Sequence, residues 1–239
     1  MKIKVTTYNI QSCKDYVTKV FNPETIAKVI NEINPDILGL NEVRGEGIDE
    51  FFFDQVGTLS KLTNMEYTYF GKAIDITNKG PYGNGIISKY PLYDIERIIV
   101  PDPIVKDEDA YYETRVLLKL KTKINNEVIN IMVIHVGLAK SEQNNAMELI
   151  LSEINKTSGK LILMGDFNME PTNPHIKKLQ TILNDTGLLF NNKFTFPSIN
   201  AIKKIDYIFT RNLNVISAEV NELVGSDHYP VSCIIDINE

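Results

Sequence analysis

The sequence predicts two mixed β-sheets packed against each other, with helices on the outside. Three observations carry that expectation. Strand-like runs far outnumber helix-like ones, helices separate some strands while hairpins join others, and 239 residues at 43% hydrophobic content supply one large core. A doubly wound sheet needs more helices, and it does not use the hairpin signals in KTKINNEV and RNLNV. With no repeat, low-complexity tract or Gly/Ser linker, residues 1–239 read as a single domain.

In chain order, MKIKVTTYNI alternates charged or polar with β-branched residues and forms a first strand ending near Asn9. It lacks the apolar stretch and cleavage site of a signal peptide. NPETIAKVINEINPD is a helix: Asn22 caps it, Pro23 suits the first turn, Ile26, Val29, Ile30 and Ile33 form one apolar stripe, and Pro35 stops it. DILGLNEV is a strand, IDEFFFDQVGTLSKLTN a second helix of 3.6 period, and EYTYFGKAI, YGNGIISKY, YDIERIIV, TRVLLKLKTKI and EVINIMVIHV are strands. SEQNNAMELILSEINKT is a third helix, KLILMGDF a strand, PHIKKLQTILND a shorter helix, and KIDYIFT, NVISAEVN and PVSCIIDI close the chain as strands.

A net charge of −6 and a pI near 5.2 argue against a general nucleic-acid binder, which carries a basic stripe. No stretch approaches the roughly 18 apolar residues of a membrane span. Cys13 and Cys233 cannot make a disulfide framework, although one bridge between them is left open. A soluble, cytoplasmic protein is the simplest account.

The run KLILMGDFNMEPTNP locates the chemistry. Leu161 to Met164 are apolar, Gly165 lets the backbone turn, and a strand thereby delivers Asp166 and Asn168 to its C-terminal rim. A turn ended by Pro171 accounts for those two residues equally well when they are taken alone. The pattern recurs, however: Asn9, Glu42, His135, Asp206 and the Asp227–His228 pair each stand at the end of another strand. Six strands ending in an acid, amide or imidazole describe a site rather than six unrelated turns. His175, beside Pro174 at a helix start, is read as structural.

In order along the chain, TYNI, LNEV, YGNGIISKYP, IHVGL, GDFN, IDYIF and SDHYPV resemble the endonuclease/exonuclease/phosphatase superfamily over nearly the whole length. The resemblance implies a four-layer α/β sandwich and a metal-dependent phosphoesterase. It implies Glu42 as principal ligand of Mg²⁺ or Mn²⁺, with Asn9 and Asp227 beside it, a set of hard oxygens without thiolates. Asp166 would align and deprotonate the attacking water while Asn168 hydrogen-bonds the water or a phosphoryl oxygen. His228, oriented by Asp206, would donate to the phosphoryl oxygen, and His135 would supply another donor. Glu113 or Arg115 would support His135 or contact phosphate, and Tyr82 and Asn84 would line the cleft.

The repair nucleases of this superfamily typically carry a Gln-Glu-Thr-Lys-like sequence at the metal strand, where this chain has NEVR with Arg44. GLNEVR and GPYGN are more similar to the compact bacterial branch, some of whose members act on sugar phosphates or lipid headgroups. The expected function is hydrolysis of a phosphate ester of a small metabolite or lipid headgroup by in-line attack of water. Nucleic acid is the less favoured substrate. A catalytically dead binding module would lack the metal Glu or the base Asp, and both are present.

Overall fold

The computed structural model describes residues 1–191 and 193–237. One six-stranded sheet contains β1 (Lys2–Asn9), β2 (Ile37–Arg44), β3 (Tyr67–Ile76), β4 (Gly80–Ser88), β11 (Asn214–Val220) and β12 (Val231–Asp236), ordered β11-β12-β1-β2-β4-β3. The other contains β5 (Leu92–Ile99), β6 (Val116–Ile124), β7 (Glu127–His135), β8 (Lys160–Asp166), β9 (Asn184–Asp185) and β10 (Asp206–Arg211), ordered β5-β6-β7-β8-β10-β9. Each sheet has a central parallel pair, β1–β2 or β7–β8, and antiparallel neighbours around it. Parallel strands cannot be joined by a hairpin, so a helix crosses over in each case: α1 (Pro23–Ile33) and α3 (Lys140–Lys156).

Side chains alternate between two apolar layers, which explains why the central strands are apolar throughout. Ile131, Val133, Ile162 and Met164 face Val5, Ile37, Ile86 and Cys233 in the core between the sheets. Their neighbours Met132, Ile134, Leu161 and Leu163 pack under Met147, Ile150 and Ile154 of α3 and Ile176 and Leu179 of α4 (Pro174–Gln180). On the opposite face, Tyr8, Leu38 and Leu40 pack on Ile26 and Ile30 of α1 and Val56 and Leu59 of α2 (Gln55–Thr63). Burying each such Leu or Ile contributes roughly 1.5–3 kcal/mol. The order is helix, sheet, sheet, helix.

Several elements differ from expectation. α2 starts at Gln55 because Asp54 caps it through the Gly57 N–H at 2.9 Å, while Asp49 holds Phe51 in a turn. α4 stops at Gln180, and residues 184–185 pair with β10 as a short edge strand. KTKINNEV is the β6–β7 hairpin, with Asn125 and Asn126 both at positive φ as a tight twisted turn requires. RNLNV is not a hairpin: β10 and β11 belong to different sheets, and this two-residue link carries the chain across the sandwich. Cys13 and Cys233 are buried and unbridged. Among the described residues no helix is long and apolar enough to cross a membrane.

Candidate active site

The two parallel pairs end together in polar residues. Asn9 pairs with Asn41 at the end of β1–β2, and His135 pairs with Asp166 at the end of β7–β8, with Asp206 of β10 on the other side of Asp166. The β2–β4 register shifts between Leu40 and Val43, and Glu42 inside that bulge adopts φ 57°. Left-handed backbone is costly for a glutamate, and a bulge is a device for re-aiming a side chain. Here it aims Glu42 into a cleft of about 850 Å³ that is also lined by Tyr82, Arg115, His135, Asp166, Asn168, Asp227 and His228.

Asp166 is the hub. Its Oδ1 accepts the Asn168 N–H at 2.9 Å, its Oδ2 accepts from Asn9 Nδ2 at 3.0 Å, and the Nε2 atoms of His135 and His228 lie 3.5 and 3.6 Å from Oδ2. Burial pushes Asp166 up to about 7, against the pull of the His228 charge. His228 Nδ1 is 2.9 Å from Asp206 Oδ2. Burial alone would lower this imidazole, yet Asp206 and Asp166 together raise it to about 10. Ligand-type atoms of Asp166, Asp206 and His228 lie within 4.8 Å of one another. A ring with a carboxylate oxygen facing each nitrogen has the form of an imidazolium shared between two acids.

Glu42 and Asp227 make a second acidic group. Burial raises Glu42, and Asp227 raises it further. Among the described residues neither carboxylate is in an ion pair. Two hard-oxygen donors outside any ion pair, with only the more distant His228 and Arg115 charges acting on Glu42, fit Mg²⁺ or Mn²⁺. Asn9 does not present its oxygen there: Oδ1 accepts the Gln11 N–H at 3.1 Å, while Nδ2 donates to Glu42 Oε1 and Asp166 Oδ2, both at 3.0 Å. Flipping the amide would break all three bonds. Asn9 therefore bridges the two carboxylates, beside the group proposed to hold the metal.

Asn84 lies beneath the cleft rather than on it, accepting from Asn41 Nδ2 and donating to Val116 O at 2.9 and 2.8 Å. Arg115 lines the cleft, but its guanidinium is engaged by Glu113 Oε1 at 2.5 Å and His135 Nδ1 at 3.0 Å. Tyr82 lines the cleft with its side chain buried. Arg44 points elsewhere, its guanidinium over the rings of Phe21 and Phe52. His175 sits at the start of α4, with Nε2 2.8 Å from Asn144 Oδ1.

Sequence reasoning missed three polar side chains. Asn41 accepts the Asp166 N–H and donates to Ile134 O, both at 2.9 Å, which fastens the two sheets at the site. Gln11 donates to Asp227 Oδ2 at 2.8 Å, and Ser226 Oγ donates to Asn9 O at 2.6 Å. The signal for all three was adjacency: each lies within two positions of a residue singled out.

The family model of the endonuclease/exonuclease/phosphatase family matches residues 6–228. A search of the curated proteins gave no match. Among solved structures, an endonuclease/exonuclease/phosphatase from Beutenbergia cavernae superposes with a TM-score of 0.82 at 20% identity, covering 98% of this chain and 71% of that one. The Bacteroides thetaiotaomicron mannosyl-6-phosphatase gives 0.77 at 16% identity, covering 98% and 100%. The human Nocturnin catalytic domain with bound sulfate gives 0.71 at 21%, covering 98% and 94%. At these identities the superpositions establish the fold.

Proposed function

The chain belongs to the endonuclease/exonuclease/phosphatase family, and from that premise we propose that it is a metal-dependent phosphoesterase that hydrolyses a small phosphate ester by in-line attack of water. The observation that carries this reading is the pairing of unlike groups around one cleft: a hydrogen-bonded buried carboxylate, an imidazole with an acid facing each ring nitrogen, and two carboxylates outside any ion pair among the described residues. Glu42 and Asp227 would hold Mg²⁺ or Mn²⁺, which when bound neutralises phosphate charge. Asp166, fixed by Asn168 and Asn9, orients the water and accepts its proton. His228 donates from Nε2 to a phosphoryl oxygen, and Asp206 keeps it charged and aimed. Asn168 supplies a further amide donor.

Charge supports a single phosphate as the recognised group. Of the cleft cations, Arg115 is tied to Glu113 and His228 to Asp206, leaving Lys203 in a lining that also contains Glu170. One structural neighbour is a mannosyl-6-phosphatase, which is consistent with a small ester on this scaffold.

The test is a screen of the purified protein against sugar phosphates, lysophospholipid headgroups, and abasic duplex and single-stranded DNA, with Mg²⁺ or Mn²⁺ and after EDTA. Turnover of a small ester that disappears on chelation and returns with either ion is expected. Undiminished turnover after exhaustive chelation would sink the metal mechanism.

A further inference from the structure

His135 is the last residue of β7, 4% exposed, and both of its ring nitrogens face hydrogen-bond donors. Nδ1 is 3.0 Å from Arg115 Nη1, and Nε2 is 3.2 Å from Asn168 Nδ2. A guanidinium only donates, so Nδ1 must accept and the ring's single hydrogen belongs on Nε2. Asn168 cannot turn its oxygen toward the ring without losing the bond from Nδ2 to Val136 O at 2.9 Å. With Asn168 Nδ2 donating to Val136 O, its 3.2 Å approach to Nε2 is a donor–donor contact, and the charged guanidinium, which has no acceptor atom, decides which ring nitrogen accepts; the Nε2 hydrogen is left to the open cleft, with Asp166 Oδ2 3.5 Å away.

Arg115 is itself held in place. Glu113 Oε1 lies 2.5 Å from Nη1, and both side chains are nine-tenths buried. Burial opposes a second proton on His135, and the Arg115 and His228 charges act in the same direction.

We propose that Arg115 is a positioning residue that fixes His135 as the neutral Nε2–H tautomer, so that His135 presents one N–H donor, and no charge, beside Asp166. The two active-site imidazoles thus divide the work: His228 is a cation set between acids, and His135 is a neutral donor set beside a cation. Its use toward a substrate oxygen rests on the phosphoesterase reading; the tautomer does not.

Imidazole ¹⁵N spectra of the histidine-labelled protein with Mg²⁺ test this, the His135 signals being identified by their loss in His135→Asn. We expect a protonated Nε2 and an accepting Nδ1 at pH 7. Arg115→Lys, which keeps one charged donor, should retain that pattern, and Arg115→Met should lose it. Against a turned-over ester, Arg115→Met should lower kcat by about 10- to 100-fold, as loss of an orienting partner does, with KM changed little. An Nδ1–H or doubly protonated His135 in the wild-type protein overturns the proposal, whether or not the variants fold. So does an unchanged tautomer in Arg115→Met, or a defect confined to KM, which is the signature of direct phosphate binding. If no ester is hydrolysed at all, the functional reading falls while the spectra still decide the tautomer.

Discussion

At the scale of single residues, Asp166 is the most exposed to test. Two hydrogen-bond donors, the Asn168 N–H and Asn9 Nδ2, hold its carboxylate, so its shape and its basicity are both specified. Asp166→Asn removes the proton acceptor and sets an amide N–H against Asn9 Nδ2. The expected outcome is a fall in kcat on the order of 10²-fold or more, with substrate binding largely kept. Near-normal kcat in a folded variant would remove Asp166 from the role of base. That Asp166 and His228 meet at one cleft was legible, because each stands at or just beyond a strand with a residue the core does not need. Which way the Asn9 amide faces was not legible. It depends on the Gln11 N–H, brought round by three successive residues at positive φ, and sequence patterns do not carry backbone handedness for Gln, Ser and Cys.

At the scale of elements, the strand ends are placed by close packing. Gly165 has φ 146°, and a Cβ there would stand 1.8 Å from the Ile134 carbonyl oxygen, so Gly165→Ala must part β7 from β8. A loss of roughly 3 kcal/mol is expected by urea unfolding, as for overpacking of a tight core; a change within 0.5 kcal/mol would contradict it. Just before β10, Lys204 is buried with Nζ 3.3 Å from the Tyr207 ring centroid and 3.8 Å from Asp185 Oδ1. Burial lowers it to about 8, with Asp185 and Asp206 opposing. A folded-state value below the unfolded one, about 10.4, means that the charged form penalises folding at pH 7. The penalty fades as pH rises from about 8 toward 10.4. Lys204→Met should accordingly be more stable than the parent at pH 7, by an amount on the order of 3 kcal/mol, and the gap should narrow by pH 10. A gap that stays constant with pH would show that the charge is not the cause. Element positions were largely readable from periodicity and caps. The edge strand β9 was not, since two residues have no period, and neither was the late start of α2, where Phe52 is buried against the loop glycines rather than on a helix face.

At the scale of the whole molecule, two sheets with the same central device, a parallel pair joined by an outer helix, face each other so that both pairs end at one rim. Sequence periodicity showed the layers, but which strands share a sheet depends on pairing between residues far apart in the chain, as the RNLNV link illustrates. The rim's charge leads to the last prediction, that DNA is not the preferred substrate. A nuclease holds several phosphates with Lys and Arg, and its affinity falls steeply with salt; an enzyme for one phosphate makes few such contacts. The chain has 25 basic against 31 acidic residues, and IKKI, its clearest basic cluster, is largely committed: Lys204 is buried and Lys203 alone reaches the cleft. Measured as kcat/KM across about 50 to 200 mM salt, turnover of a small ester should decline shallowly and exceed that of duplex DNA throughout. Higher efficiency on DNA, lost steeply as salt rises, would overturn this choice and make the protein a nuclease, because the same carboxylates and imidazoles attack any phosphate ester that the surface can hold.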